Sequence, residues 1–122
     1  MITYFLGDLL SLLIKEYVSL GGKNYFRLWL DDLEKTSRAK IQARLFRVEL
    51  GNLGNYKKLG DGVSELKIDF GPGFRVYFGE EDGQIILLLI GGDKSSQKKD
   101  ILKAKALWAE NLGRKNHGKK NS

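Results

Sequence analysis

Charged and phenolic side chains alternate along two neighbouring segments in the middle of the chain. Glu65 and Lys67 are two residues apart, and so are Arg75 and Tyr77. Residues two apart lie on the same face of a β-strand, so these four side chains are expected to share one face of a hairpin. Ammonium, guanidinium and phenol groups on one face suit a phosphate backbone with a stacked base. The alternative is a solvated sheet face with cross-strand pairs such as Glu65–Arg75.

Further cations surround this segment in the sequence. Lys94 follows the last predicted strand, and Lys40, Arg44 and Arg47 form a basic ridge at i, i+4 and i+7 on the second predicted helix. Such a ridge is often only a solvated helix face, and the alternative is that it flanks an RNA path. We predict RNA contacts for six residues, two of them in the loop before the hairpin: Lys57, Lys58, Lys40, Arg44, Arg47 and Lys98.

The composition excludes several kinds of chemistry. The chain has no cysteine, and its one histidine, His117, lies near the C-terminus. A two-histidine ribonuclease mechanism and a His or Cys metal site are therefore excluded. We expect no metal and no cofactor, and the absence of cysteine suits the cytoplasm. The formal net charge is +6. Four cations and no acid lie in residues 113–122, so subtracting four leaves the rest of the chain at +2.

The elements that must position these residues follow from hydrophobic period and turn signals. A strand is expected over residues 15–20, and Tyr25, Phe26, Trp29, Leu30 and Leu33 recur at helical spacing. A second helix ends before Gly51. The pattern then changes to strand alternation around a Gly-Pro-Gly turn, and the continuously apolar residues 85–90 predict a strand buried on both faces. A final helix buries Ile101, Ala104, Leu107 and Trp108. Trp29 and Trp108 are expected to be core anchors.

These elements predict an α+β domain with an antiparallel-rich sheet, in the order β-α-α-β-β-β-α. The helices are expected to pack on one face and leave the other face partly open. The domain is expected over residues 14–112. Residues 1–13 are expected to add an amphipathic helix with Phe5, Leu9, Leu12 and Leu13 on one side, too short for a membrane span. The basic residues 113–122 are expected to be disordered.

Several segments of the chain resemble one family of bacterial proteins. They are residues 62–68 (GVSELKI), 71–78 (GPGFRVYF) and 91–97 (GGDKSSQ), together with Trp29-Leu30-x-x-Leu33 and Gly51-Asn52-x-Gly54. The chain resembles the HigB-like "addiction module killer" branch of the RelE/ParE toxin superfamily. The resemblance covers nearly the whole predicted domain. It implies a RelE/ParE-like fold and a small toxin encoded beside a helix-turn-helix antitoxin.

The resemblance also implies an activity and roles for individual residues. Many relatives enter the ribosomal A site and cut mRNA by attack of a ribose 2′-hydroxyl on the adjacent phosphate. Arg75 matches an arginine that would stabilise the phosphorane, and Lys67 matches a lysine that helps to activate the 2′-hydroxyl, with Glu65 as the alternative base. Lys94 would hold the phosphate or assist the leaving oxygen. Tyr77 would orient a base or the scissile phosphate.

Two departures from the RelE pattern make a different active site the expectation. No aromatic residue lies in 95–101, where RelE-type nucleases commonly carry a catalytic tyrosine, and Glu65 stands where they carry a lysine. The expected function is a metal-independent, ribosome-dependent mRNA endoribonuclease, with mRNA, the 70S ribosome and the antitoxin as partners. Operator DNA is expected only through the toxin–antitoxin complex. The alternatives are a ParE-like inhibitor of DNA gyrase and a non-catalytic, prophage-derived nucleic-acid-binding protein.

Overall fold

The computed structural model describes residues 11–121 of the 122-residue chain, and the side chains of residues 11–116. It contains five strands and three α-helices in these residues. The elements are β1 (Leu13–Glu16), α1 (Tyr25–Asp31), α2 (Lys35–Glu49), β2 (Tyr56–Gly60), β3 (Val63–Ile68), β4 (Phe74–Glu81), β5 (Ile85–Asp93), a 3-10 turn (Lys94–Ser96) and α3 (Gln97–Asn121). The α+β class and the predicted order of elements are confirmed, with one strand more than predicted. That strand is β2, and it contains Lys57 and Lys58, which we had expected in a loop.

The strands form one sheet in the order β1-β5-β4-β3-β2. Strands β2 to β5 are an antiparallel meander, and β1 joins β5 in parallel with Leu13 opposite Ile85. The first strand begins earlier than predicted, so the expectation that Leu12 and Leu13 lie on a helix is wrong. Leu13 opens β1, and the Leu12 amide donates to the carbonyl oxygen of Glu49 at 2.9 Å. Phe5 and Leu9 lie outside the described residues.

Helices cover both faces of the sheet, so the prediction of helices on one face is wrong. Helices α1 and α2 bury one face in a cluster that includes Leu66, Val76 and Leu88. Helix α3 buries the other face in a cluster that includes Tyr77 and Leu89. The physical reason is that β4 and β5 carry large apolar or aromatic side chains on both faces. A sheet of this kind is stable only when both faces are removed from water.

On each face of the sheet, a tryptophan of the covering helix packs directly on a glycine of a strand. A Cβ atom on Gly91 would lie 2.1 Å from the Trp29 ring, and one on Gly79 would lie 2.3 Å from the Trp108 ring. Both glycines are therefore needed for the close approach of an indole to the strand. The prediction that both tryptophans are core anchors is confirmed.

Helix α3 continues through residues that we expected to be disordered. It ends at Asn121, whereas the sequence predicted an end near Leu112. Side chains beyond Leu112 attach the helix to the sheet: Arg114 Nη1 donates to the Val18 carbonyl at 2.8 Å, and Lys115 Nζ lies 2.6 Å from Glu81 Oε2. These contacts explain why the helix passes Gly113 without a break. Among the residues described, no helix is both long enough and apolar enough to span a lipid bilayer.

Candidate nucleic-acid interface

Three of the predicted catalytic residues are buried rather than exposed on an open face. Glu65, Arg75 and Tyr77 are 5%, 6% and 0% exposed. They lie on the face of the sheet that α3 covers. At the start of α3, the Gln97 side-chain Nε2 donates to Glu65 Oε2 at 2.8 Å. The predicted open face is therefore wrong. The cause is the helix, since strand alternation places these residues on one face as expected.

The Arg75 guanidinium is held by strand β4 and by the Glu65 carboxylate. Its Nη1 donates to the Gly73 carbonyl at 2.7 Å, and its Nε lies 3.9 Å from Glu65 Oε1. Among the described residues, neither Arg75 Nε nor the Tyr77 hydroxyl has a hydrogen-bond partner. The Glu65–Arg75 cross-strand pair, expected on a solvated face, is thus present as a buried ion pair.

Tyr77 is the most deeply buried member of this group. Burial, and next the neighbouring Glu65 carboxylate, raise the pKa of the Tyr77 phenol well above its usual value. The phenol therefore remains neutral at physiological pH. A nucleotide at the protein surface does not reach this hydroxyl while α3 covers it.

A rim of exposed lysines surrounds the buried Glu65–Arg75 pair. In the sheet register Lys57 lies opposite Glu65 and Lys67 lies opposite Arg75, and both lysines are exposed. Side chains directly opposite each other in a sheet have Cβ atoms about 5 Å apart. We call the exposed lysines on this side of the molecule the lysine rim: Lys57, Lys67, Lys94 and Lys98.

The 3-10 turn places Lys94 next to the same arginine. A Cβ atom on Gly73 would lie 3.1 Å from Arg75 Nη1 and 3.9 Å from Lys94 Cβ, so both side chains meet at this glycine. Lys94 and Lys98 also line a depression of about 530 Å³ at the start of α3. The sheet register thus places Lys67 opposite Arg75, and Gly73 brings Lys94 close to the same arginine, while the catalytic roles of the three residues stay a prediction. Lys58 lies opposite Ser64 and, by strand alternation, belongs to the other face of the sheet.

A second cationic feature lies between α2, the loop after it and the end of β3. It is a cleft of about 380 Å³, which we call the basic cleft. Its one acidic residue is Asp69. The residues that line it are Lys40, Arg44, Arg47, Asn52, Gly54, Asn55, Lys67, Ile68, Asp69 and Phe70. Lys67 lines this cleft and also belongs to the lysine rim, so the two cationic features meet at one residue.

The predicted basic ridge on α2 divides into two exposed residues and one buried one. Lys40 and Arg47 are exposed, whereas Arg44 is 6% exposed and its Nη2 donates to the carbonyl oxygens of Leu53 at 2.5 Å and Asn55 at 3.4 Å. Burial, and next the nearby Arg47, lower the pKa of Arg44. The prediction that Arg44 presents its charge to RNA is wrong, because its guanidinium satisfies two loop carbonyl groups.

Three residues of the basic cleft were missed by reasoning from the sequence. They are Asn52, Asn55 and Phe70, and the Lys40 ammonium lies 5.3 Å from the centroid of the Phe70 ring. Asn52 belongs to the Gly51-Asn52-x-Gly54 segment, which we had used only as a family motif, and Asn55 directly follows that segment. Phe70 directly precedes the Gly-Pro-Gly turn, and the sequence offered no reason to place it beside α2. Only the packing of α2 beside this loop brings the three together.

Within the described part of the chain, His, Cys, Asp and Glu side chains form no group of three or more that could hold a metal ion. Arg47, Lys67 and Lys94 form no salt bridge with any described acid. Their charges are therefore available to an anion from solution. A cationic surface with an aromatic ring in its cleft can bind a phosphodiester backbone and an unstacked base.

Comparison with known proteins gives a family for the chain. Residues 28–109 match the family described as phage-derived protein Gp49-like, DUF891. A protein of Haemophilus influenzae strain Rd, described as uncharacterized, is 48% identical over 89 residues, which cover 72% of this chain and 89% of the relative. No solved structure gives a significant match. The family match spans more than half of the chain, and it includes the strands and helices that form both cationic features. The chain therefore belongs to the Gp49-like family of phage-derived proteins.

Proposed function

We propose that this protein is the toxin of a toxin–antitoxin pair, and that it cleaves translated mRNA without a metal ion. The Gp49-like family is toxin-like and related to addiction module killer proteins, which supports the toxin role. The proposed placement in the RelE/ParE superfamily adds the chemistry: the ribose 2′-oxygen attacks the adjacent phosphorus, the bond from phosphorus to the 5′-oxygen breaks, and the products are a 2′,3′-cyclic phosphate and a 5′-hydroxyl end. The 2′-hydroxyl gives up its proton to a base, and the leaving 5′-oxygen takes up a proton. The proposed partners are mRNA on the 70S ribosome and a helix-turn-helix antitoxin.

One observation carries the proposal: exposed Lys67 lies where the lysine rim and the basic cleft meet. An RNA strand that follows both features must pass this residue. Lys67 has no described salt-bridge partner, and its strand neighbour is the buried Arg75. Exposed cations at the scissile phosphate lower the energy of the dianionic phosphorane that forms during 2′-hydroxyl attack, and because Arg75 is paired with Glu65, this charge comes from Lys67 and the other exposed lysines.

The roles of the predicted catalytic residues change with their burial. Lys67 and Lys94 are exposed and would contact the scissile phosphate. Arg75 and Glu65 form an ion pair beneath them and would hold the strands that position the two lysines. Removal of one partner of a buried ion pair leaves the other charge unpaired and strongly destabilises the protein. An Arg75→Ala variant therefore tests folding as much as catalysis. Lys67 is the better residue to test.

The decisive experiment maps mRNA 5′ ends in a reconstituted translation reaction with 70S ribosomes and the purified protein. We expect cuts in phase with codons, no loss of activity in EDTA-washed protein, and at least a 100-fold lower cleavage rate for Lys67→Met. The matched control is Lys35→Met, which removes an exposed lysine of α2 outside both cationic features.

Two results would contradict the proposal. Intact mRNA together with inhibited gyrase supercoiling would favour the alternative of a gyrase poison. Cleavage by Lys67→Met at the wild-type rate would show that the surface centred on Lys67 is not the site of reaction.

A further inference from the structure

We infer that the basic cleft is a binding site for one nucleotide of single-stranded RNA, with the base stacked on Phe70 and a phosphate between Arg47 and Lys67. The inference rests on the proposed function, in that RNA is the ligand. It adds a specific subsite beside the reaction site, and it assigns roles to Phe70, Asn52 and Asn55.

The charge and size of the cleft point to one small ligand that has both an anionic group and an uncharged organic part. Exposed Lys40, Arg47 and Lys67 outnumber the one acid, Asp69, and form no salt bridge with a described residue. The volume of about 380 Å³ lies within the range of small-molecule sites, roughly 300–1,000 Å³, and so fits one nucleotide rather than a duplex. Guanidinium groups bind phosphate oxygens in a bidentate manner, which suits Arg47 to the phosphate.

The contact between Lys40 and Phe70 provides a place for the base. The Lys40 ammonium lies 5.3 Å from the ring centroid, within the distance of a cation–π interaction. At an exposed site this interaction is weaker than the charge-assisted hydrogen bond of an ammonium to a phosphate. A bound nucleotide therefore draws Lys40 to its phosphate and leaves the aromatic face to the base. Phe70 itself packs against the core, so the ring is fixed before the base arrives.

The loop after α2 brings two carboxamides without a described hydrogen-bond partner to the same cleft. Neither the Asn52 nor the Asn55 side chain makes a hydrogen bond to a described residue. Each carboxamide can donate and accept hydrogen bonds, as the edges of nucleobases require. Arg44 holds this loop from behind through the Leu53 and Asn55 carbonyl oxygens, and the Asn55 carbonyl also accepts from the Lys67 amide at 3.1 Å. The side chains of Asn52 and Asn55 therefore lie on a loop that is hydrogen-bonded directly to Lys67.

The test measures binding of a 2′-O-methyl tetranucleotide, which cannot be cleaved by 2′-hydroxyl attack, and of copies with one abasic position each. For the full chain we expect one position at which loss of the base weakens binding by roughly 5- to 150-fold, the effect of one stacked base. In Phe70→Leu this abasic penalty should disappear, and in Phe70→Tyr it should return. Phe46→Leu, which changes an exposed phenylalanine of α2 outside the cleft, should keep the full penalty.

The outcomes separate this inference from the proposed function. An equal abasic penalty in the wild type and in Phe70→Leu, with RNA binding otherwise intact, would overturn the nucleotide subsite alone. Failure of the full chain to bind any of the oligonucleotides at low salt would also overturn the nucleotide subsite, whereas the proposed function, cleavage of mRNA on the 70S ribosome, stands or falls with the mapping of mRNA 5′ ends. Because the readout is a difference between two ligands on the same protein, a general loss of stability in Phe70→Leu does not imitate the expected result.

Discussion

At the scale of single residues, burial decides what an arginine does in this protein. Arg47 is exposed and has no salt bridge, Arg44 supports a loop with its guanidinium, and Arg75 is paired with Glu65 beneath α3. All three carry the same charge in the sequence. A cation binds an external phosphate only if it is not already satisfied by protein carbonyl groups or a carboxylate. Residue type alone therefore does not identify which arginines are free to bind a phosphate.

The different roles of Arg44 and Arg47 predict different effects of their substitution on the free energy of unfolding. We expect Arg44→Met to lower the free energy of unfolding by about 1.5–3 kcal/mol, because two loop carbonyl groups lose a charged hydrogen-bond donor. The control Arg47→Met on the same helix should change it by no more than about 0.5 kcal/mol, as for other surface substitutions. Urea unfolding followed by circular dichroism gives both values. Equal stability of the two variants would mean that Arg44 does not support the loop.

At the scale of elements, α3 has the largest effect on the site. It covers Tyr77, contributes Gln97 to the buried Glu65 carboxylate, and carries Lys98 of the lysine rim. The helix is fixed to the sheet by Trp108, whose ring lies against Gly62 and Gly79. Together with the hydrogen bond from the Gln97 side chain to Glu65 at the helix start, this contact holds α3 against the sheet. The position of the helix thereby determines which cations of the site reach solvent.

Addition of one methyl group at this contact tests the docking of α3. We expect Gly79→Ala to destabilise the protein by about 1–3 kcal/mol, because the new Cβ atom would lie 2.3 Å from the Trp108 ring. Gly113→Ala, in the exposed part of the same helix with open space around it, should instead stabilise by up to about 1 kcal/mol. Thermal unfolding of the two variants gives the comparison. Changes of the same sign would argue against the tryptophan–glycine contact.

At the scale of the whole molecule, the C-terminal half of α3 links distant parts of the chain. The Tyr17 hydroxyl donates to Glu110 Oε1 at 2.5 Å, which ties the helix to the segment after β1. On the side of β4, Glu81 Oε2 accepts from Asn111 Nδ2 at 3.0 Å and pairs with Lys115. Burial by itself would raise the pKa of Glu81, but the hydrogen bonds of Asn111 and Lys115 outweigh it and hold the pKa below its ordinary value.

This link predicts a pH dependence of stability with a definite sign. A carboxyl group whose pKa is lower in the folded state than in the unfolded state stabilises the fold. This contribution is fully present when the pH is above the pKa of the unfolded state, here 4.5, and it is lost as the pH falls through the pKa of the folded state. We expect Glu81→Gln to be less stable than the wild type at pH 6, with the difference shrinking toward pH 3. Urea unfolding at several pH values measures it. A difference that stays constant over this range would exclude Glu81 as an acid-sensitive link.

Local turns and alternation along a strand were enough to predict the β3–β4 hairpin, the common face of Glu65, Lys67, Arg75 and Tyr77, and the order of the helices and of every strand except β2. Strand β2 was missed because Tyr56–Gly60 is an edge strand with three exposed residues at its start and no apolar alternation. Only the tertiary structure decided that α3 covers the polar face, that Arg44 is buried, and that Phe70 meets Lys40. The reason is that alternation tells which residues share a face, whereas the helix that packs on that face depends on contacts between residues far apart in the chain.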